Sequence, residues 1–131
     1  MLTFKEFIAA GKYDWVNETI KEVNFPMAEG FAFGLEPKLY HFNRLISSEE
    51  AIKEMEKDGF RPATIWDLLD YGAKNPELQR QFPIVALGSV ARMGDGRDVA
   101  YLGGGDAERI LSRVWFGGDW RGFSRFLAVR N

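Results

Sequence analysis

The sequence contains no cysteine and only one histidine, His41, among its 131 residues. Without cysteine there can be no disulfide, no thiolate-bound zinc, no iron–sulfur cluster and no thiol nucleophile. A single histidine also excludes sites that need two imidazole ligands. We predict no catalytic residues, since His41 would have to be the only imidazole base. A calcium site would need several loops to converge, and no loop has the EF-hand spacing, so we predict no metal site and no cofactor; the carboxylates weighed for it are Asp95, Asp98, Asp106, Glu108 and Asp119.

Long hydrophobic runs are missing too. No apolar stretch approaches the roughly 18 residues that a transmembrane helix requires. The first residues lack the basic and apolar regions of a signal peptide.

The formal net charge of −2 gives no whole-chain reason to expect nucleic-acid binding. We expect a cytoplasmic protein whose partner is neither a nucleic acid nor a membrane, and the sequence leaves its oligomeric state open.

Hydrophobic residues make up 46% of the chain and aromatic residues 15%, which is typical of a folded domain. The two halves differ in charge. Residues 1–60 contain seven basic and eleven acidic side chains, whereas residues 61–131 contain ten basic and eight acidic ones. Nine of the fourteen glycines lie at Gly88 or later. These differences predict a helical first part and a last part made of strands and tight turns.

Three segments carry the capping-box pattern, in which a Ser or Thr is followed three residues later by an acidic residue. The boxes are Thr3 with Glu6, Ser47 with Glu50, and Thr64 with Asp67. Each predicts the start of a helix, and Gly11, Gly59 and Gly72 mark where those helices end.

Two further helices are predicted from weaker signals. Asp14 is placed to cap a helix whose apolar residues recur at helical spacing up to Val23. Pro76 suits the first turn of a short helix that runs toward Phe82.

The rest of the chain shows strand and turn patterns. Predicted strands cover residues 39–42, 84–90, 99–102, 111–116 and 123–129. Asp95-Gly96 predicts the tip of a hairpin, and residues 117–122 predict a second hairpin or a tight loop. Residues 107–114 fit either a helix or a strand.

Gly103-Gly104-Gly105-Asp106 follows a predicted strand, as phosphate-binding loops do. The dinucleotide fingerprint requires glycine at the sixth position, where this chain has Glu108. The residues after the loop are too few for the repeated strand–helix units of a nucleotide-binding fold. We interpret the loop as an ordinary turn.

Aromatic and arginine residues alternate near the end of the chain. Trp, Tyr and Arg dominate binding hot spots because they combine rigid area with a polar group. The alternative is that these aromatics close the core while the arginines reach outward. The predicted ligand-binding residues are Asp106, Arg109, Arg113, Trp115, Asp119, Trp120, Arg121 and Phe123. Of the four tryptophans, Trp15 and Trp66 are expected in the core.

Several segments follow one another in a familiar order. They are Tyr40-His41-Phe42, Ser48-Glu49-Glu50-Ala51, Gly59-Phe60-Arg61-Pro62-Ala63-Thr64 with Trp66, residues 84–89, and Phe126-Leu127-Ala128-Val129-Arg130. In this order they resemble the C-type-lectin-like domain, in the branch of sulfatase-modifying factors and retroelement-diversified variable proteins. The chain is also similar to short bacterial proteins.

The resemblance runs from Leu39 to Asn131 and implies a scaffold that displays a ligand-binding face from its C-terminal strands and loops. The cysteines that carry out formylglycine chemistry in that branch are absent, so this activity is not implied. The sugar-binding triplets Glu-Pro-Asn and Gln-Pro-Asp are absent as well, which removes the case for calcium-dependent sugar binding.

We therefore predict one α+β domain, a helical N-terminal part packed on a small, mostly antiparallel sheet, with a C-type-lectin-like fold. Residues 1–38 would be a helical extension and residues 39–131 the lectin-like core. The predicted function is non-catalytic recognition of a protein or other macromolecule through the aromatic and Arg-rich C-terminal face. Two alternatives stay open: a small mobile-element-type inhibitor that occludes a host protein, and a hydrolase that uses paired carboxylates.

Overall fold

The structure is a computed structural model that describes residues 2–131. The helices are α1 (Phe4–Gly11), α2 (Ser48–Lys57) and α3 (Ile65–Lys74), and Leu78–Arg80 forms a 3-10 turn. The strands are β1 (Trp15–Val16), β2 (Leu35–Tyr40), β3 (Ile46–Ser47), β4 (Arg61–Pro62), β5 (Ile84–Met93), β6 (Gly96–Gly104), β7 (Arg109–Trp115), β8 (Asp119–Trp120) and β9 (Arg125–Arg130).

All three predicted capping boxes form. In each, the hydroxyl of the capping residue accepts a hydrogen bond from the amide three residues later, and the acidic side chain there accepts one from the cap amide. The helix α1 ends at Gly11 as predicted, while α3 continues two residues beyond Gly72. The helix predicted from Pro76 toward Phe82 is only a 3-10 turn.

Seven strands form one sheet in the order β1-β7-β6-β5-β9-β2, and β4 also pairs with β9. Four of the six strand pairs are antiparallel, while β1–β7 and β5–β9 are parallel. The strands β3 and β8 form a separate two-stranded sheet. The predicted α+β class with a mostly antiparallel sheet is confirmed.

The hairpin at Asp95-Gly96 forms between β5 and β6, where Met93 pairs with Gly96. Residues 107–114, for which helix and strand were both open, enter β7 at Arg109. Residues 111–116 and 123–129 do not form a hairpin, because β6 and β5 lie between β7 and β9. The strand predicted at residues 39–42 lies earlier, since the chain pairs with β9 from Leu35 to Tyr40.

The helix predicted between Asp14 and Val23 is wrong. Backbone hydrogen bonds connect this segment to β7 instead: the Asp14 amide donates to the Arg109 carbonyl at 2.8 Å, and the Asn17 amide to the Leu111 carbonyl at 2.9 Å. The Asn17 side chain then accepts a hydrogen bond from the Thr19 amide, which turns the chain away from the sheet. Long-range pairing thus overrides the local helical spacing.

The sheet carries a hydrophobic core on each face. On one face, which we call the α3 face, α1 and α3 pack against strand residues such as Ala86 and Leu102. On the opposite face, the α2 face, α2 packs against residues such as Val85 and Leu87. Alternation along β5 therefore assigns successive side chains to different cores.

The N-terminal part belongs to the core of the α3 face. Phe4, Phe7, Ile20 and Phe25 are buried in the same cluster as Leu68. They bury apolar area in this core, so the described residues of the segment 1–38 share one core with residues 39–131.

Trp66 is buried as predicted, but Trp15 is 49% exposed, so its assignment to the core is wrong. Trp15 lies on β1 in register with Ile110, and Val16 beside it takes the inward position. Among residues 2–131, no helix is long and apolar enough to cross a membrane.

Candidate functional site

A cleft of about 230 Å³ opens on the α2 face of the sheet. Val85 on β5, Tyr101 on β6 and Val114 on β7 form its floor, and Pro83 borders it. Residues of the segment 119–124 form its wall. We call this the anchor cleft. It contains four of the predicted ligand-binding residues, which are Asp119, Trp120, Arg121 and Phe123.

The floor is assembled by strand register. Val85 lies opposite Tyr101 in the β5–β6 pair, and Val114 lies opposite Val99 in the β6–β7 pair. Residues paired in this way project on the same face, as do residues two apart on one strand. Three strands therefore place apolar side chains side by side where α2 does not cover them.

The wall is held by Trp120, which is half-buried rather than free. Its indole Nε1 donates a hydrogen bond to the Ser48 Oγ at 2.8 Å, and this hydroxyl donates in turn to the Phe116 carbonyl at 2.7 Å. The indole also meets the Phe126 ring edge to face, with centroids 5.6 Å apart. Trp120 is thus a rigid part of the wall.

The segment after Trp120 is fixed by a close approach to another part of the chain. His41 Nε2 lies 2.9 Å from the Gly122 carbonyl oxygen. A Cβ atom on Gly122 would lie 3.0 Å from the Arg44 amide nitrogen, so only glycine fits without displacement. Phe123, the next residue, is 57% exposed and projects at the edge of the cleft.

Arg109, a predicted ligand-binding residue, lies inside the molecule and is only 5% exposed. Its guanidinium donates to the carbonyls of Gly11 at 2.7 Å and Pro76 at 2.6 Å, and to the Gln79 Oε1 at 3.0 Å. These acceptors leave it no surface for a ligand. The structure gives Arg109 a scaffold role.

Arg113 and Trp115 lie on the opposite side of β7 from Val114, because side chains alternate along a strand. Arg113 forms an ion pair with Asp98 and donates from Nε to the Thr19 Oγ1 at 2.8 Å. Trp115 is 63% exposed. The structure does not bring these two residues together with the anchor cleft.

Asp106 is exposed in the glycine-rich turn between β6 and β7. This turn is held by Arg80, whose Nη1 donates to the carbonyls of Gly105 at 3.0 Å and Asp106 at 3.1 Å. The Gly105 amide donates to the Glu108 carbonyl. The turn is therefore closed by its own chain, in keeping with its interpretation as an ordinary turn.

A second cleft of about 230 Å³ adjoins the anchor cleft and shares Pro83 and Tyr101 with it. Arg80 and Phe82 also line it. A Cβ atom on Gly103 would lie 2.8 Å from the Tyr101 ring, so this ring extends along β6 over a residue without a side chain. Tyr101 therefore lines both clefts and lies where they meet.

Sequence reasoning missed Pro83, Val85, Tyr101 and Val114. The available signal for Tyr101 is Gly103 two positions later, since residues two apart on a strand share a face and a glycine there leaves room for the ring. Its place in a cleft, however, depends on β5 and β7 lying beside β6, and those strands are distant in sequence. The residues found by sequence reasoning are those close together along the chain.

A third cleft, also about 230 Å³, bears on the paired-carboxylate hypothesis because Glu36, Asp67 and Asp70 line it. Each carboxylate is held by a cation within 3.0 Å: Arg130 for Glu36, Arg61 for Asp67 and Lys74 for Asp70. In this cleft each carboxylate thus has a cationic partner from the chain itself. Within residues 2–131, no three His, Asp or Glu side chains are grouped to hold a metal ion.

No family model matches the chain, and neither does a curated protein or a solved structure. A fold by itself does not specify an activity, so the function must follow from the clefts and their side chains.

Proposed function

We propose that the protein is a non-catalytic recognition module that binds a partner protein by receiving one apolar side chain in the anchor cleft. The observation that carries this proposal is an open cleft with an apolar floor and a rigid aromatic wall. Charged groups occur only at its edge, on Asp119 and Arg121.

The size of the cleft favours a single side chain over a whole cofactor. Small-molecule sites in proteins are about 300–1,000 Å³ in volume. The anchor cleft, at about 230 Å³, falls below that range. Pockets that accept one aromatic or large aliphatic residue of a partner are, in contrast, the usual centres of protein–protein interfaces.

The fixed position of the wall also supports binding. Trp120 is held by its hydrogen bond to Ser48 and by its contact with Phe126, so it loses little conformational freedom when a partner docks. Ordering side chains costs about 0.5–1.5 kcal/mol each in association, and a wall that is ordered beforehand avoids this cost. Phe123 supplies exposed apolar area beside it.

For residues 39–131 we propose a C-type-lectin-like arrangement. The segments that carry the resemblance lie in or beside β2, α2, α3, β5 and β9, in that order. The closing strand β9 pairs antiparallel with β2. A binding face on the C-terminal strands and loops, which the resemblance implies, agrees with the location proposed for the anchor cleft.

Selection from a random peptide library tests the proposed function. We expect enriched peptides to share one aromatic or large aliphatic residue. Their affinity should fall by about tenfold in Phe123→Ser, since the exposed apolar area of this ring lies beside the cleft, where a docked partner covers it. The matched control is Leu45→Ser, which removes a side chain that is 62% exposed and lies outside the cleft lining.

Trp115→Ala separates the two faces of β7. Binding that survives Phe123→Ser but is lost in Trp115→Ala would place recognition on the α3 face and contradict the proposal. Enriched peptides without a common apolar residue would contradict it as well. Circular dichroism of each variant shows whether the fold is retained.

A further inference from the structure

We infer that the partner segment carries an acidic residue next to its apolar anchor, so that the protein recognises an apolar–acidic peptide motif. This inference rests on the proposed function, because it assumes that the anchor cleft receives an apolar side chain. It adds the charge of the partner and the direction in which the partner continues.

The position of the second cleft indicates the direction in which the bound partner segment continues. The two clefts meet at Pro83 and Tyr101, so a chain that leaves the anchor cleft across Tyr101 enters the second cleft at once. An extended peptide advances about 3.3 Å per residue, so the anchor and its near neighbours can contact both clefts. Each cleft has the size of a side chain, which fits consecutive residues of one segment.

The charges along this path are mainly positive. Arg121 lines the anchor cleft, and Arg80 lines the second one. The guanidinium of Arg125 lies 4.2 Å from the ring centre of Phe82, another residue of the second cleft. Among the lining residues, the opposing charge is Asp119.

Glu77 offsets part of this charge, since its carboxylate lies 3.2 Å from the Arg80 Nε. Glu77 is well exposed and lines neither cleft. Among the side chains that line the two clefts, two arginines face one aspartate, so the lining itself has a positive excess although the whole chain has a net charge of −2. Complementary charge at an interface favours a partner of the opposite sign.

An acidic peptide fits these features better than a nucleic acid does. Phosphate backbones are bound by rows of basic side chains, whereas here Asp119 lies within the lining and the floor is apolar. An apolar anchor with a neighbouring carboxylate uses both properties of the groove.

The test uses three kinds of blocked seven-residue peptide, in which the two residues beside a central anchor are both Asp, both Ser or both Lys. Each is made with Trp and with Leu as the anchor, and affinities are measured by calorimetric titration. We expect the Asp peptide to bind several-fold more tightly than the Ser peptide, and the Lys peptide to bind most weakly. High salt should reduce this preference.

Charge variants locate the effect. Arg121→Glu should reverse the preference between the Asp and Lys peptides, and Asp119→Asn should strengthen binding of the Asp peptide. The control is Arg92→Glu, which makes the same change of net charge at an exposed position of β5 that lines neither cleft. A reversal caused equally by Arg92→Glu would overturn the inference.

The outcomes distinguish this inference from the function on which it rests. Equal affinity for all three peptides, abolished by Phe123→Ser, overturns the acidic partner and leaves the recognition module standing. Tighter binding of the Lys peptide overturns it too and makes Asp119 the selective group. If no peptide binds, both proposals fail.

Discussion

Tyr13 lies between two glycines on the α3 face. A Cβ atom on Gly11 would overlap its ring, and one on Gly72 would lie 2.6 Å from its hydroxyl oxygen. Among the described residues, this buried hydroxyl has no hydrogen-bond partner. An unpaired buried hydroxyl costs stability, so the residue is held by its ring rather than by its polar group.

Replacing Tyr13 by Phe should therefore stabilise the protein at neutral pH, by about 1 kcal/mol at most. Tyr40 provides the contrast, because its hydroxyl donates a hydrogen bond to Asp58 at 2.7 Å. Tyr40→Phe should lower the free energy of unfolding, measured in urea. Equal losses in the two variants would contradict the role assigned to the Tyr13 hydroxyl.

The same residue predicts how stability changes with pH. Burial raises the pKa of Tyr13 from 10.0 to about 12, against a smaller opposing effect of Arg109. The folded state thus keeps a proton that the unfolded state loses, so stability is complete below pH 10 and falls as the pH rises toward 12. Urea unfolding across this window should show a smaller fall in Tyr13→Phe.

That fall should not vanish in the variant. Burial, together with a hydrogen bond to Asp58, raises the pKa of Tyr40 to about 12 as well. A wild-type stability that stays constant between pH 10 and 12 would show that neither phenol is protected in the folded state.

The contact between Tyr13 and α3 can also be tested by a substitution at Gly72. Alanine in place of glycine favours a helix by about 1 kcal/mol, and Gly72 lies within α3. Its Cβ, however, would crowd the Tyr13 hydroxyl at 2.6 Å and the Leu102 Cδ1 at 2.7 Å. Gly72→Ala should destabilise the wild type and cost less in the Tyr13→Phe background. An additive double-mutant cycle would exclude this contact.

At the scale of elements, the start of α3 carries more than a helix cap. The buried carboxylate of Asp67 accepts hydrogen bonds from the amides of Thr64 at 2.9 Å and Gly34 at 3.0 Å. It also pairs with Arg61 of β4 at 2.9 Å. One side chain thus joins the helix to a strand and to the segment before β2.

Asp67→Asn should therefore cost about 3 kcal/mol, because it removes the negative charge that faces Arg61 in a partly buried site. Glu50→Gln makes the same change in the exposed capping box of α2 and should cost clearly less, since Glu50 serves the cap of Ser47 and its 4.0 Å ion pair with Arg44 is well exposed. Urea unfolding of both variants measures the difference. Similar losses would reduce the role of Asp67 to capping.

How well an element is predicted depends on where its hydrogen bonds lie. The capping boxes at Thr3, Ser47 and Thr64 use bonds between residues three apart, so a short window of sequence is sufficient. The segment after Asp14 fails because its partners are on β7, some 95 residues away. The sequence offers no local sign of that pairing.

The residues of the candidate site also divide into those that local sequence predicts and those that depend on pairing between distant strands. The proximity of Trp120, Arg121 and Phe123 follows from their neighbouring positions in the chain. Tyr101 was missed because the floor is built by strand register. Arg109 and Arg121 look equivalent in the sequence, yet one is buried and the other exposed, since only the fold determines which backbone carbonyls surround each guanidinium.

At the scale of the whole molecule, Arg109 connects the N-terminal segment to the sheet. It lies on β7, and its guanidinium donates to the carbonyls of Gly11 and Lys12 at the end of α1. Its backbone amide donates to the Asp14 side chain at 2.7 Å. The N-terminal segment is therefore attached to the sheet by polar contacts as well as by the aromatic core.

This attachment predicts that the N-terminal part unfolds together with the sheet. In native-state hydrogen exchange, protected amides of α1 and β6 should exchange with the same free energy, because both open only in global unfolding. Arg109→Lys should break this equality. A lysine has three donors in a compact group and cannot reach acceptors as widely placed as Gly11, Pro76 and Gln79.

Each buried acceptor that Arg109→Lys leaves unpaired costs about 1–3 kcal/mol, so α1 should open at a lower free energy than β6 in this variant. If α1 already exchanges separately in the wild type, the segment is an appendage rather than part of the cooperative unit.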